Sequence, residues 1–346
     1  METINMELQQ LHKNSDNLYL GYAESRIGGR QENQDSYGFA DTDLGFLVTV
    51  CDGMGGGPGG KTASTIAVNE IIEGITKANA DEEKSNIIIK AIRRANMAII
   101  EAGNEEPSLR GMGSTATVLL LSEHSALVAH VGDSRIYQLR GKRKVFRTFD
   151  HSMVFDLVKQ KIITEEQARL SAQSNIITRA LGVNPDIEVD LCELPYEKGD
   201  RFVLTTDGIH GTMPEKELIR MLAQKKPVGT VTDYVATHVD NLGRLDGDCH
   251  DNLTIAIVET KKKSKLRPTM SKKMKSIFMG VCAICVASIA LNIFQASHNN
   301  KVASSVSAKT DCNSQLAAQD TTSHKIIKKD NSLNNTATQN KTEEKK

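Results

Sequence analysis

Four apolar runs lie so close together between residues 114 and 149 that they restrict the sheet they can build. STATVLLL (114–121), SALVAHV (125–131) and SRIYQLR (134–140) are separated by two or three residues, and KVFRTF (144–149) follows a Gly141-Lys142 turn. Parallel neighbours need a crossover of a dozen or more residues, usually a helix, so these segments are expected to pair antiparallel. GFLVTVCD (45–52), RFVLTTD (201–207) and NLTIAIV (252–258) read as further strands. Two helical patterns lie between the first strand and the cluster. In one, Ala63, Ile66, Ala67, Ile71 and Ile75 share a face; in the other, Ile88, Ile92, Ala95 and Ile99 do. Residues 152–182 also read as helical, with Thr164-Glu165-Glu166-Gln167 as a capping box. The expected class is α+β: an antiparallel β-rich core with helix pairs, not a parallel nucleotide-binding sheet.

The 346 residues divide by composition. An extension over 1–17 has no hydrophobic signal core, and a mixed, periodic main domain covers 18–260. Residues 261–275, KKKSKLRPTMSKKMK, hold eight Lys or Arg and no acid. Without them the chain has 35 basic and 43 acidic residues, so its bulk is no nucleic-acid binder by charge. Residues 277–296, IFMGVCAICVASIALNIFQA, carry no charge. About 20 such residues cross a bilayer core as a helix. The basic run before them and the Ser-, Thr-, Asn-, Gln- and Lys-rich tail after them favour a single transmembrane helix over 276–296, rather than a buried core helix. Positive residues stay cytoplasmic, so the main domain is expected in the cytosol, with a disordered tail, 297–346, outside. Cys51, Cys192 and Cys249 are scattered and read as reduced thiols, and Cys282-x-x-Cys285 lacks the His partners of a zinc site.

Gly55 to Thr62 spells G-x-x-x-x-G-K-T, the phosphate-binding loop of nucleotide hydrolases, yet Asp52 stands directly before it. Similar acids recur at strand edges: Asp52-Gly53, Gly132-Asp133-Ser134, Asp207-Gly208 and Asp251-Asn252, with Asp35 in GGRQENQDSYG (28–38). Singly, each is as well explained by a strand-ending turn. Brought together, they would raise one another's pKa, and hard divalent cations relieve that repulsion. Oxygen ligands without His or Cys select Mg²⁺ or Mn²⁺ over Zn²⁺.

In their order the motifs resemble the metal-dependent serine/threonine protein phosphatases of type 2C, especially the bacterial branch. The segments are Arg30-x-x-Asn33-Gln34-Asp35, Asp52-Gly53-Met54-Gly55-Gly56, Gly113-Ser114-Thr115-Ala116 and Val131-Gly132-Asp133-Ser134-Arg135. Asp150-His151-Ser152, Asn175-Ile176-Ile177-Thr178-Arg179-Ala180-Leu181-Gly182, Thr206-Asp207-Gly208 and Asp251-Asn252 follow. The resemblance implies an α-β-β-α sandwich of two antiparallel sheets flanked by helix pairs, here followed by the transmembrane helix. It implies that Asp52 bridges two tightly bound Mn²⁺ or Mg²⁺ ions, with the Gly53 carbonyl on one and Asp207 and Asp251 on the other. Asp35 would act through metal-bound water, Asp133 would help to hold a third, weaker metal, and Arg30 would grip the substrate phosphate. A hydroxide between the two metals would attack phosphorus in line, with no protein nucleophile. The implied partners are phosphorylated proteins and a serine/threonine kinase that the enzyme opposes.

The sequence departs from the family pattern at Gly55-Gly56-Gly57 and at Gly60-Lys61, and Met54 stands where some relatives have a His proton donor. The rivals are a phosphate-loop nucleotide hydrolase and a silent, membrane-tethered adaptor with this fold. The first needs a parallel sheet and leaves the surplus aspartates unexplained; the intact acid set opposes the second. Lys61 therefore reads as a solvated residue in the first turn of a helix beginning near Thr62.

Overall fold

The apolar runs are continuous because both faces of each sheet are covered. The computed structural model describes residues 8–11, 18–55, 58–247 and 249–266. The expected span at 276–296 and the tail lie outside these residues; among the described residues, no helix is long and apolar enough to cross a membrane. The chain divides into units over Met1–Pro268 and Thr269–Lys346, and all described residues belong to the first.

In chain order the elements are β1 (Gln9–Gln10), β2 (Tyr19–Arg26), β3 (Ser36–Thr42), β4 (Gly45–Cys51), β5 (Gly53–Met54), α1 (Pro58–Thr76) and α2 (Lys84–Glu105). β6 (Gly113–Ser114), β7 (Ala116–Leu121), β8 (Ala126–Val131), β9 (Arg135–Arg140), β10 (Arg143–Arg147), α3 (Met153–Lys159) and α4 (Glu165–Arg169) follow. The last are β11 (Asp190–Leu194), β12 (Asp200–Thr205), α5 (Asp207–His210), α6 (Glu215–Leu222), α7 (Val228–Leu245) and β13 (Leu253–Thr260). One sheet has the order β1-β2-β13-β12-β9-β10, the other β11-β8-β7-β4-β3, and β5-β6 form a short ribbon. Every pairing is antiparallel.

Four layers result. Leu47, Val118, Leu120 and Ala129 pack on the inner faces of α1 and α2, where Ala63, Ala67, Ile71, Ile88, Ile92 and Ile99 are fully buried, as the periodicity predicts. Phe46, Val48, Leu119 and Val128 meet Ile136, Phe202, Leu204 and Val258 between the sheets. Val203, Ile255 and Ile257 meet Val231, Val235 and Val239 of α7.

Three expectations need correction. β9 does not pair with β8: it lies in the other sheet, against β12 and β10, so Gly132-Asp133-Ser134 is a crossing between layers, not a hairpin turn. Gly132 permits it, with φ of +101°. Helix over 152–182 is confined to α3 and α4, because the backbone turns left-handed at Lys161 (φ 61°) just beyond α3; the capping box at Thr164 and Gln167 is present. Finally, the sheets reach beyond 18–260. β1 pairs with β2, Leu11 is buried, and residues 261–266 are hydrogen-bonded to the domain.

The strand directions sort the connections to two poles. Asp35 precedes β3, Asp52 follows β4, Asp133 separates β8 from β9, Asp207 follows β12 and Asp251 lies two residues before β13. All five therefore share one pole, while the β3–β4, β7–β8 and β9–β10 turns share the other.

Candidate active site

Each acid is fixed by backbone that the sequence makes rigid locally. β4 is a buried apolar strand that delivers Asp52 at its end. The Asp52 N–H donates to Thr115 Oγ1 (2.8 Å), and the Asp52 carbonyl accepts from Thr115 N (2.8 Å) and Ser114 Oγ (3.0 Å). The Thr115 hydroxyl also bonds Ser134 Oγ at 2.8 Å. One threonine thus ties the Asp52 turn to the crossing that carries Asp133. Gly53 is required beside it, since a Cβ there would lie 2.0 Å from the Gly60 carbonyl oxygen at the start of α1.

The crossing is clamped from behind as well. Gly132 N–H donates to His151 Nδ1 (3.1 Å), and His151 N–H donates to the Gly132 carbonyl (3.0 Å). Burial, then the neighbouring His130, pushes the His151 pKa down to about 4, which keeps Nδ1 an acceptor. Arg135 makes two bonds of 2.7 Å to buried Asp150, so its charge is spent there and not in the basin.

Asp251 accepts from Asn252 N–H (2.8 Å) and from Arg30 Nη2 (2.8 Å). Arg30, expected to face the substrate, is therefore paired with Asp251 here. Asn252 holds the loop bearing Arg30: its amide donates to the carbonyls of Ile27 (2.7 Å) and Glu32 (2.9 Å), and its oxygen accepts from Gln34 N–H (2.9 Å). Asp35 is 2% exposed and sits behind the others, its Oδ2 accepting from Thr254 (2.7 Å) and Thr206 (2.9 Å).

Arg30, Asp52, Met54, Asp133, Asp207 and Asp251 line one basin of about 640 Å³, together with Gly53. Asp52 and Asp207 are within hydrogen-bonding reach of each other. Burial, reinforced by the charges of Asp35 and Asp207, holds Asp52 well above the usual carboxylate range. Burial pushes Asp35 up to about 7, with Asp207 and Asp251 adding to it, and Asp207 up to about 6, with Asp251 adding to it. Asp133 is raised by burial and by Asp207. Three buried oxygens, Asp35 Oδ1, Asp133 Oδ1 and Asp207 Oδ1, have no hydrogen-bond partner. Buried carboxylate oxygens without donors are costly unless a cation takes them. The donor set is all oxygen and suits Mg²⁺ or Mn²⁺.

Among the described residues, the set of three His, Cys, Asp or Glu ligand atoms within 4.8 Å of one another is His130, His151 and Asp190, outside the basin. Those atoms already have partners. His130 Nε2 meets the Phe149 carbonyl at 2.9 Å, His151 Nε2 meets Asp190 at 3.2 Å, and Asp190 holds Arg179 at 2.9 Å. They form a clamp on the Asp133 crossing, not a metal cage.

Lys61 is not the solvated residue expected. α1 opens at Pro58, and the half-buried Lys61 amine donates to the Asp35 carbonyl (2.8 Å) and Ser36 Oγ (3.0 Å). It pins the entry to β3, and with antiparallel sheets throughout this removes the phosphate-loop reading. The sequence gives no role to Thr115, Thr206, Thr254, Asn252 or His151. Thr115, His151, Thr206 and Asn252 stand in the segments that resemble the family, which marked their places but not their tasks; Thr254 stands in none of them.

The comparisons agree with this geometry. Residues 23–244 match the family model "Protein phosphatase 2C". The chain is 32% identical over 234 residues to the serine/threonine phosphatase stp of Listeria innocua, covering 66% of this chain and 91% of that protein. The crystal structure of the serine/threonine phosphatase Stp1 from Staphylococcus aureus superposes with a TM-score of 0.63 at 28% identity, covering 69% of this chain and 94% of that one. The catalytic domain of the protein phosphatase PstP, crystallised with two manganese ions, gives 0.58 at 28% identity, covering 70% and 97%. Four-layer sandwich and carboxylate basin together define a metal-dependent protein phosphatase. The chain belongs to the protein phosphatase 2C family.

Proposed function

We propose that the chain hydrolyses phosphoserine and phosphothreonine in proteins with two tightly held divalent cations, Mn²⁺ or Mg²⁺, and a third, weaker one. The observation that carries the reading is the meeting of five aspartates at one pole, three of them with a buried oxygen lacking a donor. The relatives named serine/threonine phosphatase, and the one crystallised with two manganese ions, support it. Asp52 and the Gly53 carbonyl would bind the pair, Asp207 and Asp251 would complete it, and Asp133 would serve the third ion.

When bound, the cations supply an activated water at neutral pH and a clamp on the phosphoryl oxygens. The chain's own residues do the rest. Asp35, oriented by Thr206 and Thr254 from behind the basin, would act through water held by a bound metal. Arg30 turns from Asp251 to the phosphate, where two guanidinium N–H groups match two oxygens. Asp251 holds Arg30 at 2.8 Å and would also be a ligand of the pair, so the same carboxylate would serve either the arginine or a bound cation.

The test is Mn²⁺-dependent release of phosphate from an aryl phosphate and a phosphothreonine peptide by the full chain. Asp52→Ala or Asp207→Ala is expected to lower turnover at least 100-fold with the fold retained. Metal-independent turnover, or full activity in Asp52→Ala, overturns the proposal. We place 276–296 as a single membrane span with the catalytic domain cytosolic and the tail outside, opposing a kinase on shared substrates. The support is the uncharged run and the preceding basic residues. Protease added to spheroplasts is expected to remove a C-terminal tag and spare an N-terminal one; the reverse rejects this topology.

A further inference from the structure

The first residues of the basic run do not hang from the domain but are strapped across one end of it. Lys261 N–H donates to the Leu18 carbonyl (2.7 Å), Lys265 N–H to Glu123 (2.9 Å) and Leu266 N–H to His124 (2.7 Å). Ser264 is 5% exposed and bonds Tyr196 both ways: Tyr196 N–H donates to Ser264 Oγ (2.9 Å), and Ser264 N–H to the Tyr196 carbonyl (2.9 Å). Tyr196 is anchored in turn, its hydroxyl donating to the Ser122 carbonyl at 2.6 Å. Lys261, Lys263 and Lys265 pair with Glu259, Glu197 and Glu123. Three of the eight basic residues between 261 and 275 are thus committed to the domain's own acids.

The strap fixes where the chain leaves. Glu123 and His124 lie in the β7–β8 turn, and β8 runs six residues from there to the crossing that carries Asp133. At ~3.3 Å per residue, exit and basin are about 20 Å apart, at opposite poles. The register places further groups at the exit pole: Tyr19 faces Thr260, Arg201 faces Glu259, Asp200 faces Arg140 and Arg140 faces Arg143. The adjoining turns expose Lys142, Arg143 and Lys198, and the strap exposes Lys262. Asp200 is occupied by Arg140, and Glu123, Glu197 and Glu259 by the strap. Asp41 and Asp43 are exposed at the opposite edge, on the β3–β4 turn, so the cationic face is the one formed by the β9–β10 and β11–β12 turns.

We propose that this pole, with Lys142, Arg143, Lys198 and Lys262, docks on an anionic lipid surface, so that the carboxylate basin opens away from the membrane. The inference rests on the single-span reading of 276–296. Charge complementarity and the exit of the chain at this pole favour lipid over a protein partner. A tether attached beside the basin would instead press the site against headgroups, where a phosphoprotein could not reach it. Each basic side chain near such a surface strengthens attraction, and the effect fades within a Debye length.

The full chain in nanodiscs containing a headgroup-quencher lipid tests it, with an environment-sensitive fluorescent amino acid at 142, 198 or 216. Lys216 lies in the cleft that adjoins the basin. In phosphatidylglycerol discs, quenching at 142 and 198 is expected to exceed that at 216 at least threefold. In phosphatidylcholine discs, at 0.5 M salt, or in Lys142→Glu/Arg143→Glu/Lys198→Glu labelled at 262, it is expected to fall to the level at 216. Equal quenching at all sites, or stronger quenching at 216, rejects the docking face while leaving the anchor intact. A chain that fails to co-purify with discs rejects the anchor, and the docking face with it.

Discussion

At the scale of single residues, the basin is a set of acids held in a state they would not choose alone. Without cations, Asp35 stands at about 7 and Asp207 at about 6, both above the ~3.9 of an unfolded aspartate. An acid whose folded pKa is raised stabilises the fold below its unfolded pKa, and that contribution is lost as pH rises through the folded value. The metal-free chain is therefore expected to melt lower as pH rises from 5 to 8, by on the order of 5 °C. Cations displace those protons, so the rise in melting temperature on adding Mn²⁺ should grow over the same range. A melting temperature independent of pH between 5 and 8 in chelator would contradict the electrostatics described here.

At the scale of elements, what could be read in the sequence depended on how completely a segment was buried. The α1 and α2 faces and the central strands β4, β7, β8, β12 and β13 are legible because nearly every side chain in the strands is apolar and covered. β3, SYGFADT, is a half-exposed edge strand with Gly38 and Asp41 in it, and β11, DLCEL, is another edge; neither carries a run. α7 begins VGTVT, rich in β-branched residues of modest helix propensity, and is helical because Val231, Val235 and Val239 pack on the sheet. The β8–β9 pairing is misread because a two-residue gap looks the same whether the chain folds back or changes layer. The five acids are legible from their strand ends, but the groups that aim them are not, since Thr254 and Asp35 meet across 219 residues of sequence. Thr115 is the most exposed test of that hidden frame. Thr115→Val leaves the Asp52 N–H without its acceptor, at a cost of about 1–3 kcal/mol, and loosens two turns at once. Mn²⁺ affinity by calorimetry is expected to drop 10–100-fold, as for other groups that orient metal ligands, and Thr115→Ser to restore it. Unchanged affinity in Thr115→Val would show that Asp52 needs no such clamp.

At the scale of the whole molecule, the strap makes the boundary of the folded unit a measurable quantity. A chain ending after 260 lacks the hydrogen bonds of Lys261, Ser264, Lys265 and Leu266, each worth about 0.5–1.5 kcal/mol net. It is expected to melt several degrees below a chain ending after 266 while keeping Mn²⁺-dependent turnover; equal melting would make the strap incidental. The sheet order has a further consequence, for synthesis. β13, almost the last part of the domain to be made, lies between β2, among the first, and β12. Its Leu253–Thr260 edge bonds meet residues 19–26 across more than 220 positions, so the nascent chain cannot close this sheet piecemeal. On the ribosome, β2 must wait with an open edge until the final strand emerges, and the stretch 277–296 follows directly behind it. On the proposed reading of 277–296 as a membrane span, folding of the catalytic unit and delivery of that segment would compete in the same interval, and holding β2 from aggregation until then would fall to whatever attends the ribosome.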